Sequence, residues 1–395
     1  MALFKRKSPQ DKFQDEVAKL AKQLLGGIVV LRDDFGLDIT VPGKSTMTMF
    51  LDNTYREAEG LPPEARASRL RSAVLAMNTP DRPQTWAEAR GQLLPAVRSV
   101  SWAAAAGDKA VHSAFLPMTR LLVAVDSEHA MSYANDEDLE KWGVSVTEAS
   151  AEAAHNLSGH AVPHERFGSG YAITGPDGYA SSWLTAPARL ASVARDLEPP
   201  LLVFAPSRDA VIVASAHDQH LDKLQDSVLE IYEKEARSLS PCAYELGEDG
   251  LAPWDPADGS LVSELAVRAA RVLEAVEYGE QARRLEAEHE QTGEDTYVGA
   301  FGLREGPTRE PWSYATWSKQ VTSGLMPKAD FVALVDNDGE QAPLIVTWAD
   351  LVKHAGKALQ LDPAMDPPRW RYSAWPTAAA MTRLEKCRTK PPGAS

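Results

Sequence analysis

The stretch LLVFAPSRDAVIVAS at 201–215 constrains the fold more than any other. Two runs of β-favouring residues flank Pro206, Ser207, Arg208 and Asp209, residue types that form turns for different backbone reasons. An antiparallel hairpin is predicted there, so the chain must build a sheet. Helical signals recur on either side. Together they predict an α+β protein, with an N-terminal mixed sheet under covering helices and a smaller C-terminal antiparallel sheet.

The first helix is signalled at both ends. Ser8 suits an N-cap, Pro9 the first helical position and Asp11 the first turn. Phe13, Val17, Leu20 and Leu24 follow at helical spacing, and Gly26-Gly27 ends the pattern. This amphipathic stripe is expected to pack on its own protein. GIVVLRDDFGLDITV (27–41) reads as two strands around an Asp-Asp-Phe-Gly turn. Helices are predicted near 50–58, 63–77, 136–141, 146–157 and 218–238, and a strand at 121–125. Ser145 and Glu148 have capping-box spacing.

GEDGLAPWDPADGS (247–260) is rich in Gly, Pro and Asp without periodicity, and reads as a linker. It divides an N-terminal unit, 1–246, from a Trp-rich unit, 261–386. In the second unit helices are predicted at 260–275, 278–291 and 349–359. Strands are predicted near 296–303, 313–318, 331–335, 343–347 and 370–374. The polar tail 387–395 is expected to be disordered.

Charge and cysteine content narrow the function. The formal net charge is −15 over 395 residues. That argues against non-specific nucleic-acid binding, which needs clustered Lys and Arg. Residues 247–295 hold 13 acidic and 4 basic side chains, a net of −9. Such a run is either a solvated face or a docking surface for a basic partner. Cys242 and Cys387 are too few for a disulfide framework, which fits a reducing, cytoplasmic setting. No stretch has the apolar length of a membrane span.

LLPAVRS (93–99), FLPMTRLLVAVD (115–126), DEDLEKWGVS (136–145), AAHNL (153–157), DGYASSWL (177–184) and the 201–215 hairpin occur in an order that resembles the YtpQ-like family of bacterial proteins. The resemblance covers roughly 28–246. It implies a cytosolic α/β protein and supplies no catalytic residue to carry over.

Four constellations are candidates for chemistry. GKST (43–46) invites a phosphate-loop reading, with Lys44 and Ser45 on phosphate and Asp126 on Mg²⁺. The loop needs Gly where Asp38 stands, and it should open a helix after a strand. HNLSGHAVPHE places His155, His160, His164 and Glu165 within one segment, donors that suit Zn²⁺, but without the helical spacing of a zinc protease. Gly168-Ser169-Gly170 lacks the frame of an esterase elbow, Ser207 sits in a turn, and Cys242 reads as a small apolar residue. Trp312, Trp317 and Trp370 offer either an aromatic binding surface or core filling. Trp312 and Trp317 are an odd number apart and should face opposite sides of one strand. Arg369 and Arg371 flank Trp370 and are expected on a polar strand face.

The reading that follows is a cytoplasmic, non-enzymatic interaction or regulatory module whose partner is another protein. No cofactor is expected. The alternatives are a small-ligand or nucleotide-binding protein, enzyme or not, and a metal-dependent hydrolase.

Overall fold

The structure, a computed structural model, describes residues 8–42, 46–77, 82–107, 110–127, 131–174, 179–256, 260–305, 311–336 and 342–392. The protein is α+β, with several mainly antiparallel sheets. Among the described residues no helix is long and apolar enough to cross a membrane. The chain divides into two compact units, Met1–Pro95 with Asp108–Val111 and Leu122–Gly159, and Ala96–Gly107 with His112–Leu121 and His160–Ser395.

The first unit opens on α1 (Pro9–Leu25). Ser8 and Asp11 cap it reciprocally, and Gly26 closes it at φ 63°. Strands β1 (Ile28–Leu31), β2 (Gly36–Thr40) and β3 (Met47–Phe50) form an antiparallel sheet in that order. The Gln14 amide on α1 donates to the carbonyls of Arg32 and Gly36, each at 2.8 Å, and so ties the first hairpin turn to the helix. Helices α2 (Asp52–Ala58) and α3 (Pro63–Ala76) complete a core of Phe13, Val17, Leu37, Ile39, Leu51 and Val74.

α4 (Trp86–Ala89) and β4 (Leu93–Ser99) come next, then α5 (Val100–Ala106), β5 (His112–Ala114), β6 (Thr119–Asp126) and β7 (Met131–Tyr133). β4, β6 and β5 share one sheet, with β7 paired to β6. Helices α6 (Asp136–Trp142) and α7 (Val146–Ser158) both begin with a capping box, the second being the Ser145–Glu148 pair read from sequence. A second core in this unit gathers Leu93, Val123, Val125, Leu139, Trp142 and Ala153.

The second unit contains β8 (His164–Phe167), β9 (Gly170–Thr174), α8 (Pro187–Val193), β10 (Leu201–Ser207), β11 (Ala210–Ser215), α9 (Leu221–Lys234), β12 (Ser238–Gly247) and β13 (Gly250–Pro253). Its largest sheet runs β13-β12-β10-β11-β9-β8, which places the predicted hairpin at the centre. Both hairpin strands are buried nearly throughout, as continuous apolar runs require when both faces are covered. The turn is shorter than the tetrad read from sequence. Pro206 and Ser207 stay within β10, where a register shift after Phe204 accommodates the missing Pro N–H.

The stretch 247–260 differs from the linker expected there. β13 pairs with β12 from Tyr244↔Pro253 to Gly247↔Gly250, so backbone partners that no local pattern reveals extend the sheet. Beyond it, α10 (Leu261–Thr292) is one helix of 32 residues, where two were expected. Gly279 lies inside it with open space where a Cβ would stand, so it costs helix propensity without ending the helix. α10 packs on α9 and β12, with Leu273 meeting Leu229 and Tyr232.

The chain continues through β14 (Tyr297–Val298), β15 (Gly302–Glu305), β16 (Pro311–Ser318), β17 (Gly324–Pro327), β18 (Phe331–Val335), β19 (Leu344–Thr347), α11 (Trp348–Ala355), β20 (Gln360–Asp362), β21 (Arg369–Tyr372) and α12 (Ala378–Glu385). Two four-stranded sheets result, β14-β17-β21-β20 and β15-β16-β18-β19, where one antiparallel sheet was expected. The pairs β14–β17 and β16–β18 are parallel. Residues 387–392 of the expected disordered tail are held in place. The Thr389 N–H donates to the Ile345 carbonyl at 2.9 Å, and the Arg388 guanidinium donates to the Pro343 carbonyl at 3.3 Å.

Candidate functional site

A groove of about 570 Å³ lies in the second unit, lined by Ala161, Val162, His164, Tyr171, Arg189, Ser192, Val193, Arg195 and Asp196. The β8–β9 hairpin supplies His164 and Tyr171, turning at Gly168 with φ 58°. α8 supplies Arg189 and Ser192, and the segment that follows it supplies Arg195 and Asp196. None of these side chains is fully buried, and most are exposed.

A hydrogen-bond network fixes the groove floor. The Tyr171 hydroxyl donates to Asp196 Oδ1 at 2.9 Å, and Arg166 ion-pairs with the same carboxylate. The Arg166 guanidinium lies 4.3 Å from the Tyr171 ring centroid, a cation–π distance. The His164 ring meets Tyr171 edge-on at 5.6 Å, and its Nδ1 is 2.8 Å from the Val162 carbonyl. In the neutral imidazole that contact puts the proton on Nδ1 and leaves Nε2 as an acceptor. Arg189 donates to the His160 carbonyl at 2.7 Å. Arg195 forms no ion pair among the described residues, so its guanidinium is open to a ligand.

The titration of the network keeps charge and proton apart. The hydrogen bond to Asp196 raises the Tyr171 hydroxyl above its ordinary value. The same bond, accepted by Asp196, lowers its carboxyl. At neutral pH Asp196 is therefore an anion and Tyr171 a neutral donor. Both shifts run away from neutrality, the reverse of what a general acid or base requires.

The residues read from sequence are dispersed. Lys44 and Ser45 lie outside the described residues. The next described element after them is β3, the antiparallel partner of β2, where a phosphate loop would lead into a helix. Asp126 ends β6 opposite Met131. His155 sits in the last turn of α7, in the first unit, while His160, His164 and Glu165 belong to the second. Among the described residues, those three do not bring metal-ligating atoms together. His164 and Glu165 are neighbours on β8 and point to opposite faces.

The tryptophans are mainly structural. Trp317 has no exposed surface and packs on Tyr372 and Trp375, with centroids 4.9 and 5.9 Å away. It cannot belong to a binding surface. Trp312 is on the opposite face of β16, as their spacing requires, and meets Phe331 edge-on at 5.7 Å. Trp370 is engaged with Trp348 at 4.8 Å.

Arg369, expected on a polar strand face, is wholly buried. It donates to Gln281, to the Gly299 and Leu325 carbonyls and to the Tyr278 carbonyl. The Tyr278 carbonyl and Gln281 amide of α10, with the carbonyls of Gly299 and of Leu325 on β17, replace water around it. Arg371 instead stays half-exposed beside Glu294 and Asp362.

The nucleophile candidates are no better placed for catalysis. Ser169 donates to Asp218, Ser207 is buried, and burial pushes the Cys242 thiol up to about 11. The groove residues Tyr171, Arg189, Arg195 and Asp196 were not singled out by sequence. Their one local signal is the pair of arginines in ARLASVARD, a pattern common on solvated helices. Comparisons of the chain with protein-family models, with curated proteins and with solved structures found no match.

Proposed function

We propose that this protein is a non-enzymatic interaction module whose groove at Arg189 and Arg195 receives an anionic segment of a partner protein. The observation that carries this reading is a cationic, exposed groove on a chain whose net charge is −15. Its open, mainly polar lining suits a peptide side chain or terminus better than a small molecule, whose sites are mostly apolar and enclosing. Arginine forks match carboxylate and phosphate groups, and Tyr171 adds an amphipathic anchor. A cytoplasmic setting belongs to the same reading, since Cys242 and Cys387 are both free thiols. So does the YtpQ-like resemblance of 28–246, which assigns no residue a role.

The test is a native-condition pull-down with the wild-type chain and the Arg189→Ala/Arg195→Glu double variant side by side. A partner recovered in fixed ratio with wild type and lost from a folded double variant is the expected result. Identical recovery from both chains would overturn the groove as the contact.

A further inference from the structure

Away from the groove, three side chains of different chemistry converge. Asp350 and His354 stand one helical turn apart on α11, the i, i+4 spacing that puts both on one face. Cys387 follows α12, where its N–H donates to the Leu384 carbonyl at 2.9 Å. The hydrogen bonds of Arg388 and Thr389 to Pro343 and Ile345 then pin this part of the chain beside β19, the strand that leads into α11. One ligating atom from each of Asp350, His354 and Cys387 lies within 4.8 Å of the other two, and all three residues are half-buried.

We propose that Asp350, His354 and Cys387 bind a divalent transition-metal ion of the zinc class. The donor set is one thiolate, one imidazole and one carboxylate, a combination that selects borderline ions over Ca²⁺ or Mg²⁺. With metal–ligand bonds of about 2.0–2.3 Å, tetrahedral geometry sets donor atoms roughly 3.3–3.8 Å apart. Small side-chain rotations on α11 and at Cys387 close that gap. The Thr347 hydroxyl donates to Asp350 Oδ2 at 2.8 Å, which orients the carboxylate and leaves Oδ1 for the ion. Two anionic ligands balance a +2 charge. The half-exposed setting leaves the fourth position to water.

The same residue types could form a thiol–imidazole–carboxylate relay, but a relay requires hydrogen bonds from nucleophile to base and from base to carboxylate. Among the described residues the His354 ring makes neither. With no such bond from the imidazole to either neighbour, the convergence of the three side chains fits an ion between them better than a proton relay.

The test uses the untagged full chain, stripped of metal and titrated with Co²⁺ alone. The expected result is one equivalent bound per chain, with tetrahedral ligand-field bands in the visible and a thiolate-to-cobalt charge-transfer band in the near ultraviolet. Zn²⁺ should displace it. Cys387→Ser should abolish the charge-transfer band. His354→Ala should weaken binding beyond the roughly 10- to 100-fold loss typical of an outer-sphere partner. A folded wild-type chain without the charge-transfer band at saturating Co²⁺, or a band that survives in Cys387→Ser, would overturn the proposal. A second measurement needs no variant. Zn²⁺ should slow alkylation of Cys387, with Cys242, the other free thiol, as internal reference, and an unchanged rate would count equally against the site.

Discussion

Glu277 on α10 accepts the backbone N–H of Ser101, in the first turn of α5, at 2.9 Å while remaining only 3% exposed. The carboxyl thus serves an orphan donor at a helix start from a distant part of the chain. Burial raises it above its ordinary value, and the hydrogen bonds it accepts offset this only in part. The folded state then keeps a proton that the unfolded state has already released. Stability should therefore fall as pH rises from about 4.3, the ordinary Glu value, through the raised folded value. Glu277→Gln can still accept from Ser101 but has nothing to ionise. Its melting temperature relative to wild type should rise with pH, and a difference that stays flat from pH 4 to 8 would contradict the raised value.

Trp317 and Trp312 give a paired test of the parity of β16. Trp317→Ala should cost about 3–5 kcal/mol, the range for removing a large aromatic from a core. Trp312→Ala should cost clearly less, because that side chain is only half-buried. Urea unfolding of both variants reads the difference, and equal losses would argue against the opposite placement of the two rings.

Arg369 is a buried cation that forms no ion pair among the described residues, and burial lowers its guanidinium to about 10, still charged at neutrality, against a smaller opposing pull from Tyr278 and Glu286. Its hydrogen bonds end on Gln281 and three backbone carbonyls. Arg369→Lys cannot reproduce that fork, so it should destabilise the chain by about 3 kcal/mol or more despite keeping the charge. A loss below about 1 kcal/mol in urea unfolding would mean that the fork matters little.

In the groove, Asp196 is the one acidic lining residue among the described residues, and its accepted hydrogen bond keeps it ionised at neutral pH. Asp196→Asn removes that charge and should tighten capture of an anionic partner, most visibly at low salt. Arg195→Glu should act in the opposite direction. Binding measured across a salt series separates the two, and matching effects from both variants would argue against an electrostatic contact.

Local chemistry was legible where the decisive partners are near in sequence. Ser8, Asp11 and Gly26 frame α1, Ser145 and Glu148 start α7, and the 201–215 hairpin declares itself. Nonlocal partners were not legible. A Pro- and Asp-rich segment reads as a linker until β12 offers it hydrogen bonds. Arg369 reads as a surface residue until Gln281 and the carbonyls of Tyr278, Gly299 and Leu325 surround it. Asp350 and His354 share a helix face, but nothing in sequence brings Cys387 to them. The groove arginines carry no pattern that separates them from the other arginines of the chain.

The continuity of α10 has a mechanical consequence. At a rise of 1.5 Å per residue, the helix is a rod about 48 Å long. It rests on α9 and β12 and also meets β15 and β16. A protease cut within 247–260 would leave that rod clamped to the central sheet. The nicked halves should stay associated and melt together in a thermal scan, and two separate transitions would mark the C-terminal sheets as a detachable module.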